Sequence, residues 1–238
     1  MANSFFQFKQ FRINQDQCAM KVSTDAVVLG AAIPEQSISH ILDIGTGTGV
    51  LALMMAQKFP YANIEAVEVD GAAALQATDN FKSSPWKDRI HLVLGDFKEY
   101  HGKTHQKFDL IICNPPYYPA HLKSANAQKN LAHHQSKLDY WQLLEGVNEL
   151  LSETGQLWLV LPPRMMETFN GLAAESGYLP FFLLELFDKP GAMALRTVKG
   201  FGRKKTGQLE RKELCIKDSQ GNYSKEYQLL LQDYMLYF

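Results

Sequence analysis

Asp43-Ile44-Gly45-Thr46-Gly47-Thr48-Gly49 closes the apolar run 38–44 and opens the small, apolar run 50–59. The first run reads as a buried strand and the second as a helix, so the three glycines occupy a strand-to-helix turn. Glycine at such a turn lets a ligand approach the backbone and the free N–H groups of the helix. The spacing narrows the choice of ligand. A dinucleotide-binding turn keeps two residues before its third glycine. A phosphate-binding loop ends in lysine followed by serine or threonine. Here an acid precedes GxGxG and no such lysine follows, which fits a site for S-adenosyl-L-methionine (AdoMet). Gly45, Thr46, Gly47 and Gly49 are expected against the methionine moiety. Asp43 is expected either to organise the loop or to hold the ammonium.

The same alternation continues along the chain. A second strand, 63–69, ends in Glu68-Val69-Asp70, where an acid can grip a ribose diol; Glu68 is the first choice and Asp70 the reserve. A helix over 72–81 leads to a third strand, 90–94, followed by Gly95-Asp96-Phe97. Asp96 is expected to accept from an adenine amine, or to cap a helix, and Phe97 to pack against the adenine ring. Strands over 108–113 and 156–161 enclose a helix over 139–151, with Trp141, Leu144, Val147, Leu150 and Leu151 near helical spacing, and a helix over 164–175 comes next. Strand, helix, strand repeated in this way predicts a mainly parallel sheet covered on both faces.

Two strand-like runs, 179–186 and 192–202, are joined by the turn Asp188-Lys189-Pro190-Gly191. The tail reads as a strand over 213–217, a turn at Gly221-Asn222 and a helix over 224–237. The predicted fold class is α/β: a Rossmann-like AdoMet methyltransferase with a seven-stranded, mainly parallel sheet and an antiparallel edge hairpin. At the N-terminus, Phe5, Phe6, Phe8 and Phe11 alternate with polar residues and suggest a hairpin arm. A short helix over 26–31, capped by Thr24 or Asp25, follows. One domain over 1–238 is expected: arm and cofactor-site helix 1–37, AdoMet-dependent core 38–203, C-terminal extension 204–238.

Bulk properties exclude several classes. The 238 residues are 46% hydrophobic and 21% charged, with a formal net charge of −1, as in an ordinary globular protein. No apolar run approaches the roughly 20 residues of a membrane helix. The start of the chain lacks the pattern of a secretory signal, so a cytoplasmic location is expected. Cys18, Cys113 and Cys215 are far apart without CxxC spacing, which argues against a disulfide framework and against a zinc site; no metal is expected.

The strand over 108–113 empties into Asn114-Pro115-Pro116-Tyr117, the expected catalytic loop. An exocyclic amine on a base is a poor nucleophile because its lone pair is delocalised into the ring. Acceptors aimed at its hydrogens, the Asn114 side-chain oxygen and the Pro115 carbonyl, would pull the nitrogen towards tetrahedral geometry. Pro115 and Pro116 stiffen the loop, and Tyr117 offers a face on which an unpaired base can stack. Catalysis is then mostly positioning and electrostatics.

Four segments carry a resemblance along nearly the whole chain: Cys18-Ala19-Met20-Lys21-Val22-Ser23-Thr24-Asp25, the glycine loop, Asn114-Pro115-Pro116-Tyr117-Tyr118, and Asn222-Tyr223-Ser224-Lys225-Glu226-Tyr227. Together they resemble the bacterial tRNA1(Val) (adenine-37-N6)-methyltransferase family. The resemblance implies AdoMet as cofactor and the anticodon-loop region of a valine tRNA as partner. It places Lys21, Thr24 and Asp25 at the methionine end of the cofactor pocket and the target adenine at Asn114 to Tyr117. Ser23 and Ala26 stand where glycines would be expected. Candidate phosphate contacts are Arg196, Lys199, Arg203, Lys204 and Lys205, with Lys123 and Lys129 in the polar loop 118–137; His133-His134 within that loop reads as surface or RNA-facing. The same loop chemistry would serve a protein glutamine N5-methyltransferase or an rRNA guanine-N2 enzyme. The first usually has a larger N-terminal domain than the preface here. A non-catalytic AdoMet-fold module would need neither Asn114 nor a full glycine loop.

Overall fold

The computed structural model describes residues 3–18, 20–115, 140–203 and 208–238. Its centre is a sheet built on β3 (His40–Ile44), β4 (Asn63–Glu68), β5 (Ile90–Leu94), β6 (Phe108–Cys113) and β7 (Leu151–Leu161). These five strands are all parallel, in the order β7-β6-β3-β4-β5. Parallel pairing demands crossovers, supplied here by α2 (Val50–Lys58), α3 (Gly71–Lys82), α4 (Phe97–His101) and α5 (Tyr140–Leu150). The strands are apolar on both faces, as a sheet covered on both sides requires. Leu42, Ile64, Leu110, Ile111 and Trp158 are all buried.

The hairpin of β8 (Leu179–Phe187) and β9 (Ala194–Gly202) follows α6 (Pro163–Glu175). β9 lies between β7 and β8 and is antiparallel to both. The expected hairpin is therefore present, but it is not the edge. β10 (Glu210–Cys215), from the C-terminal extension, pairs parallel to β8 and makes an eighth strand in this sheet. The sequence places this strand at 213–217; pairing with β8 begins three residues earlier.

One face of the sheet is covered by α1 (Thr24–Ala32), α2, α3 and α7 (Lys225–Leu231), the other by α4, α5 and α6. Ser23, not Thr24 or Asp25, is the N-cap of α1, accepting from the Ala26 N–H at 3.3 Å. Leu143, Leu144, Val147 and Leu150 bury the inner face of α5, while Trp141 is left 52% exposed. The N-terminal arm is the antiparallel hairpin of β1 (Phe5–Gln7) and β2 (Arg12–Asn14). Phe8 and Phe11 stack at 4.4 Å and are buried, and Phe8 bridges to Met235. The arm and the C-terminal extension thus share a core.

Two long cations close helix ends that would otherwise leave carbonyls unpaired in the interior. Lys58 donates to the carbonyls of Gly30, Ala31 and Ile33 at the end of α1, at 3.0, 2.7 and 2.6 Å. Burial lowers its pKa to about 8, with Glu35 and Asp233 opposing the fall. Arg89 does the same for α2, donating to Ala56, Phe59 and Ala62. Arg89→Ala is expected to lower the unfolding free energy by about 1–3 kcal/mol, the usual effect of orphaned acceptors. Urea denaturation would show this as a lower midpoint, with AdoMet affinity unchanged.

Candidate active site

The parallel strands β3, β4, β5 and β6 end at one edge of the sheet, the edge at which open α/β sheets bind ligands. Beyond their carboxyl ends stand the glycine loop, Glu68, Asp96 and Asn114.

Gly45, Gly47 and Gly49 have φ of 70°, 57° and 84°, a region that penalises side chains by roughly 1–2 kcal/mol. Their surroundings differ. A Cβ added at Gly45 or Gly47 would meet nothing within 4 Å, whereas one at Gly49 would lie 2.4 Å from the Phe81 ring of α3. The first two glycines front open space, and the third lets α2 start against α3.

Asp43 is fully buried, and its Oδ2 accepts from the Thr46 hydroxyl at 2.6 Å and the Ala52 N–H at 3.1 Å. These bonds make it the organiser of the loop. Its Oδ1 has no partner among the described residues. Burial pushes the carboxyl up to about 7; the Thr46 and Ala52 bonds oppose the rise, and the Glu68 charge adds to it.

Glu68 is 8% exposed and ties the loop to the end of β4, accepting from Gly47 N–H at 2.8 Å and Asp70 N–H at 2.9 Å. Each carboxylate oxygen keeps further acceptor capacity. Asp70 caps α3 through the Ala73 N–H instead. Asp96 caps α4 through the Lys98 N–H at 3.0 Å and remains half-buried.

Phe97 departs from its expected place. It is buried, with its ring against Tyr100 and His101 and close upon Gly146 of α5. As the first residue of α4 it turns under the edge into the core, so its ring serves helix packing. Apolar surface at the edge comes instead from Val69 and Leu94, 54% and 61% exposed, beside Glu68 and just before Gly95-Asp96. Sequence reasoning passed over both. The available signal was an apolar residue at a strand terminus next to an acid.

Lys21 donates to the Asn3 carbonyl at 3.0 Å, and the Thr24 side chain bonds to Tyr227 of α7. Asp25 accepts from Arg196 Nε at 2.6 Å. The structure brings all three to the start of α1 and engages each with a protein partner. A further contact was missed entirely. Asn80 of α3, 1% exposed, donates to the carbonyls of Asn14 and Thr48 and accepts from Asn14 N–H, each at 2.9 Å. Gln76, one turn earlier, accepts from Gln17 N–H at 2.7 Å. The N-terminal arm is fastened to the glycine loop through α3. Buried amides on a helix were the signal.

Asn114 follows Cys113, which is in register with Ile44, so it stands alongside Gly45. Asn114 is half-buried and Pro115 buried. Pro116 and Tyr117 lie outside the described residues, as do Lys123, Lys129, His133, His134, Lys204 and Lys205. Burial, then the charges of Asp43 and Glu68, push the Cys113 thiol up, so it is no nucleophile. Of the basic candidates, Arg196 pairs with Asp25, Lys199 donates to Asn170 at 2.7 Å, and Arg203 donates to the Asn148 carbonyl. Among the described residues no group of three His, Cys, Asp or Glu is placed to hold a metal, and no helix is long and apolar enough to cross a membrane.

The residues fit AdoMet. Two glycines front open space, one buried carboxylate oxygen is unpaired, an acid ends β4, and apolar side chains flank it. Fold and site together define a Rossmann-like, AdoMet-dependent methyltransferase. Residues 18–172 match the methyltransferase small domain. The chain is 44% identical over 237 residues to a protein of Bacteroides fragilis named tRNA1(Val) (adenine(37)-N6)-methyltransferase, covering 99% of each chain. A Flavobacterium psychrophilum protein of the same name is 39% identical over 235 residues, with 97% of this chain and 99% of the relative covered. The chain belongs to that methyltransferase family. Solved structures share the fold. A predicted O-methyltransferase of Agrobacterium tumefaciens superposes with a TM-score of 0.68 at 16% identity, over 88% of this chain and 96% of that one. A ribosomal protein L11 methylase of Lactobacillus delbrueckii gives 0.58 at 15%, over 81% and 84%.

The raised Asp43 has a measurable consequence. Without ligand it holds its proton up to about pH 7, whereas the cationic cofactor favours the carboxylate. Below that pH binding must displace the proton, so AdoMet affinity is expected to fall as pH drops, by up to about tenfold per unit. Calorimetry from pH 5.5 to 8 would show the slope, and Asp43→Asn would flatten it. Equal slopes in both proteins would refute the assignment.

Proposed function

We propose that this chain transfers the methyl group of AdoMet to the exocyclic N6 of an adenine in tRNA, with adenine 37 of tRNA1(Val) as its target. The observation that carries this reading is the position of Asn114, at the end of β6 in register with the start of the glycine loop. An amide that can organise an amino group thus lies next to the place where the cofactor's methionine end is expected. The names of the relatives favour adenine over a glutamine amide or guanine N2, for which the same loop chemistry would serve.

In this reading Glu68 holds the ribose hydroxyls, Val69 and Leu94 flank the adenine of the cofactor, and Asp96 accepts from its amine. Gly45, Thr46 and Gly47 approach the methionine end, which the start of α1, with Lys21, Thr24 and Asp25, closes from the other side. AdoMet supplies an electrophilic sulfonium methyl. The Asn114 side-chain oxygen and the Pro115 carbonyl accept the two hydrogens of the target amine and draw its lone pair out of conjugation. No strong general base is needed, because the alkylated nitrogen is acidic and sheds a proton readily. Pro116 and Tyr117 complete the loop, the tyrosine as a stacking face. All of 1–238 acts as one methyltransferase unit, and a cytoplasmic location suits a tRNA substrate.

Two measurements test this. Label from AdoMet, offered with total tRNA from cells lacking the gene, should appear as N6-methyladenosine confined to a valine tRNA; label in protein or rRNA instead would overturn the substrate. Asn114→Ala is expected to reduce kcat by about 10²- to 10³-fold, the scale of a lost transition-state contact. Its AdoMet dissociation constant should stay within about threefold of wild type, since uniform ground-state binding is unaffected.

A further inference from the structure

Between α6 and the β8–β9 hairpin lies an open groove of about 320 Å³, lined among others by Arg164, Glu167, Asn170, Glu185, Thr197 and Lys199. That volume lies at the small end of ligand sites. Thr197 is 4% exposed and lines the groove. Its hydroxyl can both donate to and accept from a group in the groove. Lys199 is held by Asn170 at 2.7 Å, which fixes its ammonium along the wall. Burial also lowers the Lys199 pKa.

The register places the groove relative to Asn114. Cys113 pairs with Leu159, Leu159 with Lys199, and Lys199 with Leu183. Two residues nearer the catalytic edge, Leu161 pairs with Thr197 and Thr197 with Glu185. The Thr197–Glu185 row is thus abreast of Pro115. At roughly 4.8 Å per strand, Thr197 lies about 10 Å to the side of β6 and Glu185 about 14 Å. The groove opens beside the catalytic loop, on the side away from β3, β4 and β5.

Its charges identify the occupant. Arg164 and Lys199 are balanced by Glu167 and Glu185, so the walls do not select a bare polyanion. A carboxylate, a hydroxyl and an ammonium converging on one small space suit a neutral group with mixed donors and acceptors. A base and its ribose 2′-hydroxyl have that character, and exposed Arg164 can meet the attached phosphate. We infer that this groove is a second subsite, which takes the nucleoside of a residue neighbouring the target adenine in the RNA, with Thr197, Glu185 and Lys199 as its polar contacts. The inference rests on the tRNA reading above, and gives the hairpin a part in holding the substrate.

The test uses the full chain with S-adenosylhomocysteine and total tRNA as the binding probe. Thr197→Val, Glu185→Gln and Arg164→Ala are each expected to weaken RNA binding roughly 3- to 10-fold, as loss of one contact should. AdoMet affinity and kcat at saturating RNA should stay within twofold. Thr197→Val keeps the shape of the side chain and removes its hydroxyl, so its Tm should hold; a structural role alone would predict no change in RNA affinity. Wild-type RNA affinity in all three variants would overturn the subsite. Weakened RNA binding in the variants, from a wild-type chain that methylates rRNA instead, would uphold the subsite and overturn the tRNA reading alone.

Discussion

A single buried carboxylate holds the working edge together. Asp43 is the penultimate residue of β3, and one of its oxygens accepts from Thr46 in the loop and from Ala52 in the first turn of α2. An ionised carboxylate without partners would be strongly disfavoured in the interior, so these donors and the fold select each other. With strand, loop and helix pinned to one atom, the loop's path is set, and other groups can use it as a fixed reference. Glu68 reaches Gly47 from β4, and Asn80 reaches Thr48 from α3. The result is a glycine loop held from three sides by side chains of β3, β4 and α3, the kind of fixed geometry that catalysis by positioning requires.

The remainder of the chain supports that edge in two ways. Parallel pairing brings β3, β4, β5 and β6 to a common terminus, so residues far apart in sequence share one rim. Additions at both ends of the chain then brace it. The N-terminal hairpin is tied to α3 and to the C-terminal segment, and α1 is tied to α7 through Thr24 and Tyr227 and to β9 through Asp25 and Arg196. Arg196 illustrates the division of labour, since a residue that could have met a phosphate is engaged in orienting the start of α1.

Much of the fold was legible because its signals are local. The strands at 90–94 and 108–113 and the helix beginning at Val50 match the periodicity and the glycine punctuation residue for residue. Asp43, Glu68 and Asn114 lie at the strand ends where the sequence places them, because those ends follow from local apolar runs. Phe97 could not be placed, because nothing local says whether the first side chain of a short helix turns toward solvent or toward a neighbour such as α5. Trp141 shared the apolar spacing of α5 and still lies half exposed, since one helical turn at the end of an amphipathic stripe can project past its partner.

The sequence by itself determined most of the order of strands and helices, the glycine loop and the place of Asn114 at the end of β6, because these depend on backbone preference and residue type. Only the tertiary structure decided which glycine is packed against Phe81, which oxygen of Asp43 is left unpaired, and that β10 rather than the hairpin forms the edge. It also decided that Lys199, Thr197 and Glu185 face one groove abreast of the end of β6. Those outcomes are set by strand register and by contacts between distant segments, and register is a relation among strands that no single stretch of chain contains.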